Sequence, residues 1–342
     1  MTPERLQAIT ARYAQLRIAL VGDYCLDRYL EIDPARTEIS IETQLPVYNV
    51  TRVRSQPGAA GTILNNLVAL GIGQIHAVGF CGVDGEGFEL RQALEAMPGV
   101  ELAHFLNTPL RRTFTYCKPL VMHTHQPPQE LNRIDSKNWT ATPPEVEAAL
   151  IASLEQLATQ VDALIVMDQV DLPETGVVTQ GVRAALARIA NAKPNLRIVA
   201  DSRRGLAQWP PVTMKMNAAE LAKLTGETER TAMATIAQQA AALAQARQRE
   251  VCVTLAERGL LGATPTGDIQ HVPALPLRGP IDVVGAGDSV TANLTAALAA
   301  GASLREALEL AAVASSIIIH QLGTTGVATR EQIAEHLSLA PS

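Results

Sequence analysis

Residues 163–201 read ALIVMDQVDLPETGVVTQGVRAALARIANAKPNLRIVAD and hold one complete strand, helix, strand unit. Ala163 to Met167 is an unbroken apolar run closed by Asp168, Thr175 to Ala192 has helical spacing, and Arg197 to Ala200 is a second apolar run closed by Asp201. A strand that is apolar at every position is covered on both faces, as in a parallel sheet between two helix layers. The acidic residue ending each run then falls at the strand's C-terminal end, where open α/β sheets bind their ligands.

The same rhythm extends in both directions. Upstream, a first helix precedes Arg17 to Gly22 (RIALVG), which reads as a strand opening at Asp23 into a loop. Gly58 to Leu70 has helical spacing, Ile75 to Phe80 is a strand, and a helix near Gly87 to Met97 leads to a strand near Leu102 to Leu106. Between them and the central unit lies a helix over Pro143 to Gln160, starting at Thr142. Downstream come a strand at Val212 to Met216, helices from Ala218 and Thr231, and short strands at Val251 to Thr254, Gly262 to Thr264 and Ile269 to Val272. Helices over Asp288 to Ala300, Leu304 to His320 and Arg330 to Leu337 close the chain. This alternation predicts an α/β fold, a doubly wound, mostly parallel sheet with helices on both faces. Two stretches break the pattern with proline-bearing alternation, at about 29–54 and 112–122. They predict a small β lid inserted into a single domain spanning 1–342.

Composition bounds the function. Of 342 residues, 47% are hydrophobic and 18% charged, which is enough apolar material for a packed core. The net charge of −6 excludes the broad basic face that nucleic acid or an anionic membrane requires. There is no apolar run of about 18 residues and no secretory leader pattern, so a cytoplasmic protein is expected. The four cysteines contain no CxxC pair, which removes zinc-ribbon and thioredoxin-type chemistry. His123 and His125 form half a metal site with no third ligand at useful spacing.

The strongest chemical signal is Ile281 to Ser289, IDVVGAGDS. Gly285, Ala286 and Gly287 lead into a helix whose first amides lack intrahelical partners, and such amides with the helix dipole attract phosphate. Asp288 beside them could take a proton from an attacking hydroxyl, or could be an ordinary helix cap. The dinucleotide fingerprint fails because its third glycine would be Val290, and no P-loop is present. Asp23 and Asp27 after the first strand suit paired hydrogen bonds to a polyol, or a turn. Gly58, Ala59 and Thr62 at a helix start either bring backbone close to a small ligand or pack that helix on the sheet. Arg203 is placed to meet phosphate. Asn217 and Glu220 could hold a hydrated Mg²⁺ or form a capping box.

In order, Gly22-Asp23, Gly58 to Gly71, Asn217 to Glu220 and Gly285 to Asp288 resemble the motifs of the ribokinase-like (PfkB) carbohydrate kinases, from Arg17 to about Arg330. Within that family, GDYCLDRYL, EISIETQLPVYNV, ELNRID, GAGDSV and QLGTTGV are similar to the heptose 7-phosphate kinase branch of ADP-heptose synthesis. That branch is often fused to a nucleotidyltransferase, for which no sequence is seen by residue 342. The resemblance implies an ATP-dependent sugar or sugar-phosphate kinase. Asp288 would be the base, Gly285 to Gly287 the anion hole, and Asp23, Asp27, Gly58, Ala59 and Thr62 the sugar contacts. Arg203, Asn217, Glu220, Thr254 and Gly259 would serve ATP, with Mg²⁺ reached by Glu220 through water. A monovalent cation such as K⁺ would lie near Asp282 and Val284, and the lid would pair two copies into a homodimer. The chain departs from the family where Gly-Gly becomes Gly58-Ala59, the following Asn becomes Thr62, the Pro of Pro-Asn-x-x-Glu becomes Met216, and the Thr before Gly-Ala-Gly becomes Val284. A non-catalytic sugar- or nucleotide-binding regulatory protein on the same fold is the competing expectation.

Overall fold

The computed structural model describes residues 1–227, 232–323 and 325–339. The first half runs α1 (Pro3–Thr10), β1 (Arg17–Gly22), β2 (Tyr24–Ile32), β3 (Glu38–Ile39), β4 (Pro46–Val47), β5 (Val50–Ala59) and α2 (Ala60–Ala69). It continues with β6 (Gln74–Gly82), α3 (Gly85–Glu95), β7 (Val100–Glu101), β8 (Phe105–Thr108), β9 (Phe114–Val121) and β10 (Gln129–Glu130). The second half runs α4 (Pro144–Leu157), β11 (Ala163–Asp168), α5 (Gln180–Ala192), β12 (Arg197–Ser202), β13 (Thr213–Asn217), α6 (Ala218–Thr225) and α7 (Met233–Arg247). Then follow β14 (Val251–Thr254), β15 (Leu260–Ala263), β16 (Ile269–Val272), α8 (Ala286–Ala299), α9 (Leu304–Ile318) and α10 (Arg330–Leu339).

The main sheet has the order β16-β15-β14-β13-β12-β11-β1-β6-β7, with β8 also on β6. It is parallel from β14 through to β7 and antiparallel only at β14-β15-β16. The fold is therefore the expected α/β sheet with helices on both faces. Alternation within the central strands divides the core. Ile18 and Leu20 of β1 and Ile165 of β11 pack in the cluster of α2, α8 and α9, while Ala19, Val21, Leu164 and Val166 pack in that of α4, α5 and α7. All seven side chains are fully buried, so each strand is apolar throughout because each face has its own helix layer.

A second sheet, of order β10-β9-β2-β5, carries the lid. It corrects the sequence expectation at both insertions. The lid begins at Tyr24 rather than near residue 29, since β2 leaves β1 after one residue and no loop opens there. The second insertion meets β2 in parallel, and its antiparallel pairing is confined to β10 and a single bridge from Thr115 to Ser136. Gly58 and Ala59 end β5 instead of starting the helix. α5 starts at Gln180 with the Thr179 hydroxyl accepting from the Val182 amide, five residues later than periodicity suggests. The helix start expected at residue 231 lies outside the described residues, as does residue 324 of the QLGTTGV segment.

Asp23, the residue between the two sheets, is 2% exposed. Its Oδ2 accepts from the Gln169 and Val170 amides at 2.8 and 3.2 Å, and its Oδ1 from the Val177 amide at 2.7 Å. Its carbonyl accepts from the Ala60 amide and its own amide donates to the Met167 carbonyl. One residue thus fixes the loop after β11 through its side chain and the sheet junction and the start of α2 through its backbone. Replacing it leaves three amides, two of them buried, without acceptors, at about 1–3 kcal/mol for each that water does not reach. Asp23→Ala is expected to lower stability by about 3 kcal/mol or more, read as a lower urea midpoint at unchanged slope.

Candidate active site

The C-terminal ends of β11, β12 and β13 and the first turn of α8 meet at one point. Gly285 takes φ +82°, the left-handed conformation that lets the irregular segment from Ile281 turn into the helix. The Ala286 amide already donates to the Val283 carbonyl at 3.2 Å. Of the three amides expected from sequence, those of Gly285 and Gly287 remain for a ligand, joined by that of Asp288. Directly beneath them the buried Lys215 Nζ lies 2.7 Å from Asp201 Oδ2, which also accepts from the Thr291 hydroxyl at 3.1 Å. A Cβ on Gly287 would stand 3.0 Å from that ammonium, so only a glycine leaves the nitrogen this close to the helix start. Sequence reasoning missed Lys215; its position two residues before Asn217 on an alternating strand was the available signal.

Asp288 sits in this turn. Burial, and then the nearby Asp201 carboxylate, push its carboxyl up to about 7 against the opposing pull of Lys215 and Arg203. A carboxyl with that value exchanges a proton near neutrality, which fits general-base work.

Two cavities flank the turn, and Gly287 lines both. On the lid side is a polar cavity of about 480 Å³ lined by Asp27, Ala59, Thr62, Asp288 and four cations, Lys118, Arg133, Lys137 and Arg203. Lys118 lies over the Tyr29 ring and 3.6 Å from Asp27, whose carboxyl burial raises and Lys118 lowers. Arg133 stacks on Tyr116 and pairs with Asp135 at 2.9 Å, and Lys137 pairs with Asp171 at 2.8 Å. None of these three cations was singled out from sequence, although 133, 135 and 137 alternate in charge along one short loop. On the far side is a groove of about 830 Å³, mostly apolar, between the β14-β15 turn and residues 274–283, with Thr254, Gly259 and Asn217 in its wall.

Several expected roles move. Asp23 faces no cavity, because both its carboxylate oxygens are taken by backbone amides. Gly58 does not line the cavity either. A Cβ there would fall 2.5 Å from Asp27 Oδ2, so the residue is glycine to make room for that carboxylate. Arg203 lines the lid-side cavity and not the groove. Asn217 and Glu220 form a capping box, the Asn217 Oδ1 accepting from the Glu220 amide at 2.9 Å and the Glu220 Oε2 from the Asn217 amide at 2.7 Å. Asp282 Oδ1 accepts from the Val284 amide at 3.0 Å and its own amide donates to Ile319. Among the described residues no three His, Cys, Asp or Glu side chains cluster as a metal site, His123 and His125 included. The lid also touches the site from above, where Gln56 Nε2 of β5 donates to Thr325 Oγ1 at 2.6 Å.

The sequence pattern of the pfkB family carbohydrate kinases matches residues 24–330. The bifunctional protein HldE of Azorhizobium caulinodans is 34% identical over 317 residues, covering 92% of this chain and 63% of the relative. This chain therefore spans somewhat under two thirds of that relative's length. Among solved structures, phosphofructokinase-2 of Escherichia coli in complex with substrates and products superposes at a TM-score of 0.71, with 20% identity over 94% of this chain and 99% of that one. The same protein in complex with potassium gives 0.69 at equal identity and coverage. Arabidopsis thaliana ribokinase complexed with ribose and ATP gives 0.66, at 17% identity over 95% and 99% of the two chains. At these identities the structures bear on the fold.

The raised Asp288 carboxyl has a consequence for stability. Its folded value lies above the unfolded one, so the folded state binds the extra proton between about pH 4 and 7, and stability falls as pH rises through that window. Asp288→Asn, which cannot ionise, is expected to melt above the parent by a margin that grows from pH 5 to about 7 and then levels. Melting curves across pH 5–8 check this, and a constant margin would refute it.

Proposed function

The chain belongs to the pfkB family of carbohydrate kinases, and on that footing we propose that it transfers the γ-phosphate of ATP to a hydroxyl of a sugar phosphate, with heptose 7-phosphate the first acceptor to try. The observation that carries the choice of acceptor is the charge of the lid-side cavity. Four cations face three carboxylates, Asp27, Asp135 and Asp288, within about 480 Å³. A neutral sugar needs hydroxyl-pairing groups of the kind Asp27 supplies. The Arg133 and Lys137 side also suits a phosphate already on the acceptor.

The groove suits a nucleotide, with an apolar slot for a base that ends at the free amides of the α8 turn. Mg²⁺ would be held chiefly by phosphate oxygens and water, as its chemistry favours, with Glu220 reaching it through water by the oxygen its capping bond leaves free. When bound, that ion offsets the charge of the transferring group. Asp288 accepts the acceptor hydroxyl's proton as the new O–P bond forms and the bond to the bridging oxygen breaks, ADP leaving with the electron pair. The Gly287 and Asp288 amides face the charge of the transferring group, with the buried Lys215 ammonium beneath them. The irregular turn at Asp282 and Val284 offers carbonyls to a monovalent cation, and the phosphofructokinase-2 solved with potassium makes K⁺ the ion to test.

The lid also supports a homodimer. Ile39, Ile41, Leu45, Tyr48 and Val53 are exposed in and around it, apolar side chains that a partner surface would cover. No helix among the described residues is long and apolar enough to cross a membrane, and a kinase of this kind would work where ATP is, in the cytoplasm.

ADP release from Mg-ATP across free and phosphorylated five-, six- and seven-carbon sugars tests the reaction. Turnover is expected on a phosphorylated acceptor, rising with pH through about 7 as Asp288 loses its proton. Asp288→Asn is expected to lower it by about 10²–10⁴-fold. Binding of acceptors without turnover in any condition would favour the regulatory alternative. Arg133→Ala is expected to raise KM for the phosphorylated acceptor about tenfold or more while KM for ATP stays put, and equal changes in both would remove the phosphate role of that side.

A further inference from the structure

We propose that Ala59 is a specificity-determining residue of the acceptor cavity, a methyl group held where the backbone calls for glycine and where it limits how closely an acceptor can lie against the corner between β5 and α2. The inference rests on the acceptor role of the cavity given above.

Ala59 takes φ +53° with ψ −114°. Glycine enters this region freely, while a side chain is admitted only under constraint from its surroundings. The contrast with Gln248 is informative: its φ is also +53° but its ψ is +36°, the ordinary left-handed conformation at the end of a helix. The surroundings of Ala59 supply the constraint. Residue 59 is paired with Tyr24 across the β2-β5 ladder, and the next amide, that of Ala60, donates to the Asp23 carbonyl at 3.1 Å. Asp23 is in turn fixed by the three amides it accepts. The backbone at 59 therefore has no room to relax toward a conformation that alanine prefers.

The neighbouring position shows what packing alone demands. At Gly58 a Cβ would collide with the Asp27 carboxylate, so glycine is required for space. At 59 glycine is the residue that the conformation favours, and alanine stands there instead, on the wall of the cavity and partly packed against the core cluster of α4, α5 and α7. Strain of this kind persists where the added atoms serve the site. Thr62 completes the same corner, its Cγ2 lying 3.4 Å from where a Cβ on Gly285 would stand. The acceptors this corner suits present hydroxyls toward Asp27 with no carbon branch beside them, and direct their bulk toward Lys118 and Arg133.

Ala59→Gly separates this from a neutral substitution. The variant is expected to melt higher than the parent, by about 2 °C or more, because relief of the strained conformation outweighs the added freedom of the unfolded chain. Its ranking of five-, six- and seven-carbon sugar phosphates is expected to flatten, with kcat/KM for the acceptors the parent uses poorly rising about tenfold or more relative to the best one. A lower melting temperature, or acceptor ratios that move less than about twofold, would overturn the proposal. If neither protein turns over any acceptor, the kinase reading fails by itself. The same sugar phosphates are then scored by the melting shift they produce, with the shift from ADP as reference for the groove. New shifts in Ala59→Gly from compounds that leave the parent unmoved would uphold the role of Ala59, and identical shift patterns would end it.

Discussion

A carboxylate sealed from water has to find donors, and Asp23 finds three in backbone amides that belong to a single loop. Burial, followed by the neighbouring Asp168 carboxylate, raises its carboxyl to about 6 even so. The arrangement is therefore a costly one, kept for what it joins. The loop it holds carries Gln169 into the lid-side cavity. The strand it ends belongs to the core sheet, the strand it begins belongs to the lid, and the helix its carbonyl caps starts at Ala60. The β2, α2 and Gln169 walls of the lid-side cavity are thus anchored by a residue that is not in its lining.

A second buried group sets the electrostatics. Lys215 would be an expensive charge without Asp201, and Asp201 without Lys215 would press harder on Asp288. As a pair they leave Asp288 able to gain or lose a proton near neutrality while a positive nitrogen stays close below the glycine turn. The pair sits beneath Gly287, which with Val283 lines both cavities. Charge compensation and the meeting point of the two cavities are thus built into the same few residues at the ends of β12 and β13 and the start of α8.

Much of this could be read from the sequence. Runs such as Arg17–Gly22 and Ala163–Asp168 are apolar at almost every position, and only a doubly covered parallel strand explains that. The GAGDS segment announces a helix start rich in free amides. What escaped were features whose meaning depends on where distant residues meet. Asp23 looks like a turn residue because one polar residue between two strands ordinarily is one, and the continuity of β1 into β2 is invisible without the loop that satisfies its carboxylate. Lys118, Arg133 and Lys137 look like solvated charges on alternating or loop segments, and only the closing of the lid over the sheet brings them to one cavity; Lys215 is fixed instead within the main sheet by Asp201. Asn217 and Glu220 are a capping box in the structure, which their spacing allowed from the outset along with the metal-binding alternative.

The two sheets also divide the labour of the site. Asp27 and Lys118 stand on lid strands β2 and β9, and Arg133 and Lys137 follow in the loop beyond β10. The walls of the groove come from the main sheet and the helices behind it. The halves touch chiefly along one glycine-bearing turn. Such a partition makes the molecule modular: a change in the lid strands alters the walls of one cavity while the residues that line the other stay in place.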